Sequence, residues 1–306
     1  MLQSPLNYTG GKFRLLPQIL PLFPDDIDTF VDLFCGGCNV GINVKARKHM
    51  YNDTNRHLIS LYDILKNNNK KSTLATIYAI IEKYNLSLVS KYGYDYYDCN
   101  SSNGIGKYNK DKFLKMREDF NCSTKKDDYY YLLLYVMIVY SFNNQIRFNS
   151  NGAFNLPVGK RDFNKKMENK LIAFIDMIKA QDSHFSCLDF NNFDISALTE
   201  KDFVYIDPPY LITCAAYNEQ DGWNIEKEKQ LLTFIDRLTK LKIRCALSNV
   251  LKSKGKENTL LIEWIEKNKK TYTVHYLNYS YANSNYHTKD KSDSTQEVLI
   301  TNYHRK

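Results

Sequence analysis

The strongest constraint in this sequence is an alternation: short apolar runs of strand length are separated by segments whose apolar residues recur at helical spacing. The runs fall at Thr29 to Phe34, around Met50, at Phe203 to Ile206, Ile243 to Leu247, Thr273 to Leu277 and Glu297 to Thr301. Helical patterns cover Leu58 to Leu65, Leu171 to Lys179, Lys227 to Leu241 and Thr259 to Lys267. Strands joined through helices predict an α/β fold with a mostly parallel sheet covered on both faces. The last two runs are separated only by a polar linker, Asn278 to Gln296, so they are free to pair antiparallel and leave a mixed sheet.

Between about Lys66 and Lys170 the alternation breaks, and helical patterns at Leu74 to Tyr84, Lys110 to Asp119 and Tyr129 to Ser141 predict an inserted helical domain. That insertion is basic. Residues 101–170 hold thirteen Lys or Arg against seven Asp or Glu, which is six of the chain's eight net positive charges, and this points to a polyanionic partner. The stretch Tyr129 to Phe142 is the longest apolar one, but it carries five tyrosines and falls short of the roughly 20 residues a membrane span needs. It predicts a buried helix and no membrane association. Seven cysteines without a framework, and a start MLQSPLNYTGGKF without an apolar leader, fit an intracellular chain with reduced thiols. Cys35 and Cys38 have CxxC spacing, but no second pair follows at the usual interval, and a tight glycine turn makes a poor metal cage; no metal is expected.

Chemistry concentrates in two places. In Phe203-Val204-Tyr205-Ile206-Asp207-Pro208-Pro209-Tyr210 a buried strand runs into an acid, two prolines and an aromatic. The prolines fix two φ angles and remove two N–H donors, so the carbonyl groups there are available to a ligand at the carboxyl end of the strand. A carboxylate beside a carbonyl accepts both hydrogens of an amino group, while Tyr210 can stack on the ring that bears it. The second place is Phe30-Val31-Asp32-Leu33-Phe34-Cys35-Gly36-Gly37, a strand entering a glycine turn and then an expected helix from Asn39 to Lys48. Asp53, at the end of the next strand, is placed as the acid that holds ribose hydroxyls in nucleotide-type folds, so an adenosyl cofactor is expected.

In this order the motifs resemble the Dam-type adenine-specific DNA methyltransferases over nearly the whole chain. Tyr8-Thr9-Gly10-Gly11-Lys12 resembles the family's aromatic-x-Gly-Gly-Lys segment, FCGG its cofactor loop, Asp53 its ribose acid and DPPY its catalytic motif. Arg147-Phe148-Asn149 through Gly152, then Phe154-Asn155-Leu156-Pro157 and Gly159, resemble its target-recognition signature; Ser248-Asn249 and Ile300-Thr301-Asn302-Tyr303 match two late segments. The resemblance implies an S-adenosylmethionine-dependent methyltransferase fold, Rossmann-like, with residues 1–66 and 171–306 forming the catalytic domain and 67–170 the inserted target-recognition domain. It implies methyl transfer from S-adenosylmethionine to the N6 amine of a flipped-out adenine in double-stranded DNA, leaving S-adenosylhomocysteine, in a cytoplasmic protein of prokaryotic or phage type, with a cognate restriction endonuclease as a candidate partner.

The implied roles attach to individual residues. Asp207, Pro208, Pro209 and Tyr210 carry the catalytic motif, and Tyr8, Lys12, Phe34, Gly36, Asp53, Asp189, Phe190 and Asp207 surround the cofactor. Phe142, Asn143, Gln145, Arg147, Asn149, Pro157, Lys160 and Arg161 meet DNA. Within that set Arg147 has the fork that suits guanine, whereas the run Lys160, Arg161, Lys165 and Lys166 suits phosphates. The chain departs from the family at Cys38, where FxGxG has glycine, and at Asn7 and Asn143-Asn144-Gln145, where GATC-reading members typically have Lys and NGL. Competing readings are methylation of another planar amine (the cytosine N4 amine, an RNA adenine or a glutamine amide), a DNA-binding regulator without chemistry, and a small-molecule methyltransferase with a basic surface. The initial Asp of the motif favours adenine, and the intact Lys12, Asp53, Asp207 and Tyr210 favour catalysis.

Overall fold

A computed structural model describes residues 1–213, 222–278 and 295–304. Its strands are β1 (Thr29–Asp32), β2 (Lys48–Asn52), β3 (Asp182–Ser186), β4 (Phe203–Ile206), β5 (Arg244–Ser253), β6 (Lys256–Glu257), β7 (Thr273–Leu277) and β8 (Gln296–Thr301). The chain divides into two compact units. A sheet unit comprises Lys12–Cys35, Val44–Thr54 and Ser186–Lys306, and a helical unit comprises Met1–Gly11, Gly36–Asn43 and Asn55–Phe185.

In the sheet unit the strand order runs β2-β1-β4-β5-β8-β7, with β6 on β5. The first four strands pair in parallel, and β8 pairs antiparallel to both β5 and β7, so the expected mixed, mostly parallel sheet forms. Most of the linker expected between β7 and β8, residues 279–294, lies outside the described residues. β4 is buried along its whole length, which is why it reads as a continuous apolar run and not an alternating one. On one face Val31, Val204, Ile206, Cys245, Leu247, Val298 and Ile300 pack with helices Ile225–Lys240 and Thr259–Lys267. On the other, Phe23 meets Phe30, Phe203 and Tyr205 at ring centroid distances of 6.3, 4.7 and 5.5 Å. Asparagine starts both helices: Asn224 accepts from the Lys227 N–H and Asn258 from the Leu261 N–H.

The helical unit is organised around the helix Asp128–Tyr140, in which every residue from Tyr130 to Tyr140 is buried. It packs against helices Arg56–Asn67, Lys70–Lys83 and Gly106–Cys122, and an all-round apolar sequence is what such a central position requires. Its Leu, Ile and Val side chains each contribute roughly 1.5–3 kcal/mol by leaving water. Tyr129 and Phe142, the ends of the apolar stretch, are exposed. No helix among the described residues is long and apolar enough to cross a membrane.

Differences from expectation include a missing helix and an added strand. Asn39 to Lys48 forms no α-helix; it holds a single 3-10 turn, Gly41–Asn43, before β2 begins at Lys48. The segment alternates Val40, Ile42 and Val44 with Gly41, a poor helix composition, and Asn43 leaves the helical pattern by exchanging hydrogen bonds with the Leu2 backbone. The second difference is β3, whose sequence DSHFS gives no strand signal. Ser183 is buried and donates to the Ile178 carbonyl, and the half-buried Phe185 packs on Tyr62.

After the central helix the chain reverses over residues 141–159. Antiparallel bridges join Ser141 to Val158 and Phe148 to Phe154, and the Phe142 N–H donates to the Pro157 carbonyl. At Gly159 a Cβ would lie 2.3 Å from the Ser141 carbonyl oxygen, so only glycine closes this reversal. Gly159→Ala is expected to destabilise the chain by about 1–3 kcal/mol, the range for overpacking a tight contact. Chemical denaturation measures it, and an unchanged midpoint would show that the reversal relaxes freely.

Candidate active site

Asp207 sits one residue beyond β4, at the carboxyl end of an interior parallel strand, and Lys12 starts the short 3-10 turn Lys12–Leu15. The Lys12 ammonium lies 2.9 Å from Asp207 Oδ1 and 3.7 Å from Glu297 Oε1. Tyr210 completes the cluster: its hydroxyl is 3.1 Å from Asp207 Oδ1 and 3.3 Å from Glu297 Oε1, and Lys12 stands 4.8 Å over its ring. The side chains of Lys12, Asp207 and Glu297 are 5%, 17% and 3% exposed, which makes this a nearly dry group of one cation and two carboxylates. Burial raises the Asp207 carboxyl above its usual range, against the opposing pull of Lys12 and of the Tyr210 hydrogen bond. Burial also holds the Tyr210 phenol well above its ordinary value. Pro208 is buried and Pro209 exposed.

A second group forms where β1 and β2 end. Phe34 and Phe190 lie 5.6 Å apart, and Trp223 sits 5.8 Å from each. Trp223 donates its indole N–H to Glu228, a fully buried carboxylate that also accepts from Asn249 and Asn258 at 3.2 and 3.1 Å. Asp53 follows β2 and donates its N–H to the Ser186 carbonyl. Between these strand ends lies Asn52, 1% exposed. Its amide donates to the Leu33 and Leu188 carbonyls, and its oxygen accepts from the Leu188 N–H and the Ser186 hydroxyl. One buried side chain thereby ties together the segments that bear Phe34, Asp53 and Phe190. Asp189 caps the turn Phe190–Asn192 and faces Lys227 at 3.8 Å. An aromatic cluster beside an acid at a strand end suits a planar base with a ribose.

In the helical unit Tyr8 lies against the glycine loop. Gly36 has φ +44°, and a Cβ there would come within 2.9 Å of the Tyr8 ring, so both backbone angle and space demand glycine. Cys38 carries the same left-handed angle, φ 57°, with a buried side chain where the family pattern has glycine. The expected DNA contacts lie along the reversal after the central helix. Phe142, Asn143, Arg147, Pro157, Lys160 and Arg161 are exposed, and Gln145 is half-buried. Arg147 is oriented by Asn155, whose side-chain oxygen accepts from Nε at 2.7 Å and whose carbonyl accepts from Nη2 at 3.3 Å. Asn149 instead spends its side-chain oxygen on the Asn151 and Ala153 N–H groups, closing the local turn. The two departures at Asn7 and Asn143 touch: the Asn7 amide donates to the Asn143 carbonyl at 2.8 Å. Burial holds Lys170 below its ordinary value, and the neighbouring Lys166 and Arg161 add to the effect.

The structure brings Lys12, Asp207 and Tyr210 together, and likewise Phe34 with Phe190 and Tyr8 with Gly36. Asn52, Trp223, Glu228 and Glu297 are absent from the sequence-based set. Glu297 alone left a signal, as a charge in an otherwise apolar strand.

The mixed, mostly parallel sheet is consistent with the fold of S-adenosylmethionine-dependent methyltransferases. The chain belongs to the D12 class of N6 adenine-specific DNA methyltransferases, whose family model matches residues 8–283. It is 42% identical over 99% of its length to the type II methyltransferase M.FokI of Planomicrobium okeanokoites and 41% identical over its full length to the modification methylase StsI of Streptococcus sanguinis. It spans 43% of the length of each of these two relatives. Against the DNA adenine methylase of Escherichia coli strain K12 it is 26% identical over 86% of this chain and 84% of that one.

Because burial outweighs Lys12 at Asp207, a 13C NMR titration of its carboxyl should place the midpoint above the roughly 3.9 of a free aspartate. A native carboxyl that binds its proton more tightly than the unfolded chain withdraws stability as pH rises from the unfolded to the native midpoint. A midpoint at or below the free value would mean that the ion pair dominates.

Proposed function

We propose that this chain transfers a methyl group from S-adenosylmethionine to the N6 amine of adenine in double-stranded DNA. The observation that carries the reading is the Lys12–Asp207–Tyr210 cluster at the end of β4 in a chain of this family. S-adenosylmethionine, when bound, supplies a methyl group already activated on a cationic sulfur. The protein's task is positioning and electrostatics. Asp207 and the Pro208 carbonyl accept the two N–H groups of the amine and leave its lone pair directed outward. Charge on that nitrogen rises as the new bond forms, and the Asp207 carboxylate meets it in a nearly dry setting where such interaction is strong. Lys12 holds the Asp207 carboxylate in place, and Tyr210 offers a ring for the extruded base.

Phe34, Phe190 and Trp223 suit the cofactor's adenine, Asp53 its ribose and Asp189 its exocyclic amine, while the Tyr8–Gly36 contact shapes the glycine loop. Residues 67–170 act as the target-recognition domain. Its exposed Arg147 reads a base, and Lys160 and Arg161 hold phosphates. A cognate restriction endonuclease is the partner we assign, in keeping with the likeness to type II and modification methylases, and the cytoplasm is where such a pair works.

Incubation of the chain with S-adenosylmethionine and duplex DNA, followed by mass spectrometry of the nucleosides, should yield N6-methyladenine. Asp207→Ala should abolish it while the fold persists. Product confined to methylcytosine, or an Asp207→Ala variant as fast as the parent, would sink the assignment.

Base reading and phosphate contact separate in a second experiment. Arg147→Ala should cost about 1–3 kcal/mol at the cognate site and relax discrimination at one base pair, whereas Lys160→Ala should weaken all sequences alike and flatten the salt dependence. Uniform loss on every site for Arg147→Ala would show that it does not read a base.

A further inference from the structure

Glu297 occupies a position that a strand alone would give to an apolar residue. It pairs with Val250 on β5 and Leu277 on β7, inside the sheet, and its successors Val298 and Ile300 point into the apolar core. A buried carboxylate there is costly unless it is paired, and a branched aliphatic side chain would serve the strand better. The charge stands where Lys12 and Tyr210 meet, 3.7 Å from the Lys12 ammonium and 3.3 Å from the Tyr210 hydroxyl.

The Tyr210 hydroxyl has one hydrogen and two carboxylate oxygens within reach, so it can donate to only one of them at a time. Lys12 and Tyr210 both hold the same oxygen of Asp207, Oδ1. An amine that binds this oxygen displaces one of them, and a buried phenol without an acceptor is strongly disfavoured. We infer that Glu297 is a positioning residue: it takes over the Tyr210 hydroxyl and shares Lys12, so that Asp207 is released to accept the amine without any buried group losing its partner. The inference rests on the adenine-methylation reading above.

The test is single-turnover methylation of duplex DNA by the full chain at saturating S-adenosylmethionine, for the parent, E297Q and E297A. E297Q keeps an oxygen for the phenol but no charge for Lys12. Its rate constant should fall about tenfold, and that of E297A about a hundredfold, the scale on which misplacement of a reacting group acts. The KM for DNA, and the cofactor affinity by calorimetry, should stay within about threefold, because neither ligand is bound by Glu297 itself. A residue that only holds the strand in place would lower the melting temperature or the amplitude of product and leave the rate constant intact, and that result overturns the role. If E297A fails to fold, the isosteric E297Q decides, and a parental rate constant in E297Q overturns it equally. A parent chain that transfers no methyl to adenine would sink the functional reading and this role with it. An active parent matched by its variants would sink the role of Glu297 alone.

Discussion

The buried ammonium of Lys12 is the interaction on which the site depends. Removing Lys12 would take the shared cation from two carboxylates in a nearly dry setting, and breaking a buried pair in this way typically costs about 3–5 kcal/mol. The three charges come from distant regions of the chain: Lys12 from the start of the sheet unit, Asp207 from the end of β4 and Glu297 from β8. The cluster therefore requires β4, β5 and β8 in register at once. With β4 parallel to β5 and β8 antiparallel to it, the carboxyl end of β4 and the opening residues of β8 fall at the same edge of the sheet.

A second buried polar framework serves the aromatic group. Glu228 receives hydrogen bonds from Trp223, Asn249 and Asn258, and Asn52 joins the ends of β1 and β2 to the segment at Leu188. Networks of this kind are stable only when every member is satisfied, and then they fix one arrangement in preference to others of similar packing. Ser248 belongs to the same logic, sharing a hydrogen bond with the Tyr205 hydroxyl at 2.7 Å. The Ser248-Asn249 pair that interrupts the apolar run of β5 thus continues the strand, which extends to Ser253 and not to Leu247.

What was legible in the sequence followed from local physics. Phe203 to Ile206 reads as a buried strand because four consecutive apolar residues precede an acid and two prolines, and Asp207 follows at the end where ligands bind. Local physics also sets the helix starts, where Asn or Asp caps the helices at residues 55, 69, 127, 164, 224 and 258. What was hidden is defined by distant partners. Asn52 looks like any strand-end asparagine until Leu188 is folded against it, and Trp223 has no apparent role until Phe34 and Phe190 converge on it. The expected helix at Asn39 failed because glycine and β-branched residues alternate there and Asn43 is captured by Leu2, a contact no helical periodicity reveals. Cys38 shows a rule bent in the other direction: a residue with a Cβ occupies a left-handed position that costs roughly 1–2 kcal/mol outside glycine.

The place of β8 has a consequence for how the chain is made. In chain order β8 follows β7, yet in space it lies between β5 and β7. During translation the ten-residue β5 is completed more than forty residues before the strand that covers its outer side, and among the described residues β7 pairs only with β8. For that interval the nascent chain carries a long unpaired edge, the template on which a second copy of the chain, at high concentration on a polysome, would add its own strand. Overproduction of this protein would accordingly be limited by aggregation of chains still waiting for β8, and slowing synthesis or lowering temperature would relieve it without any change in the stability of the finished fold.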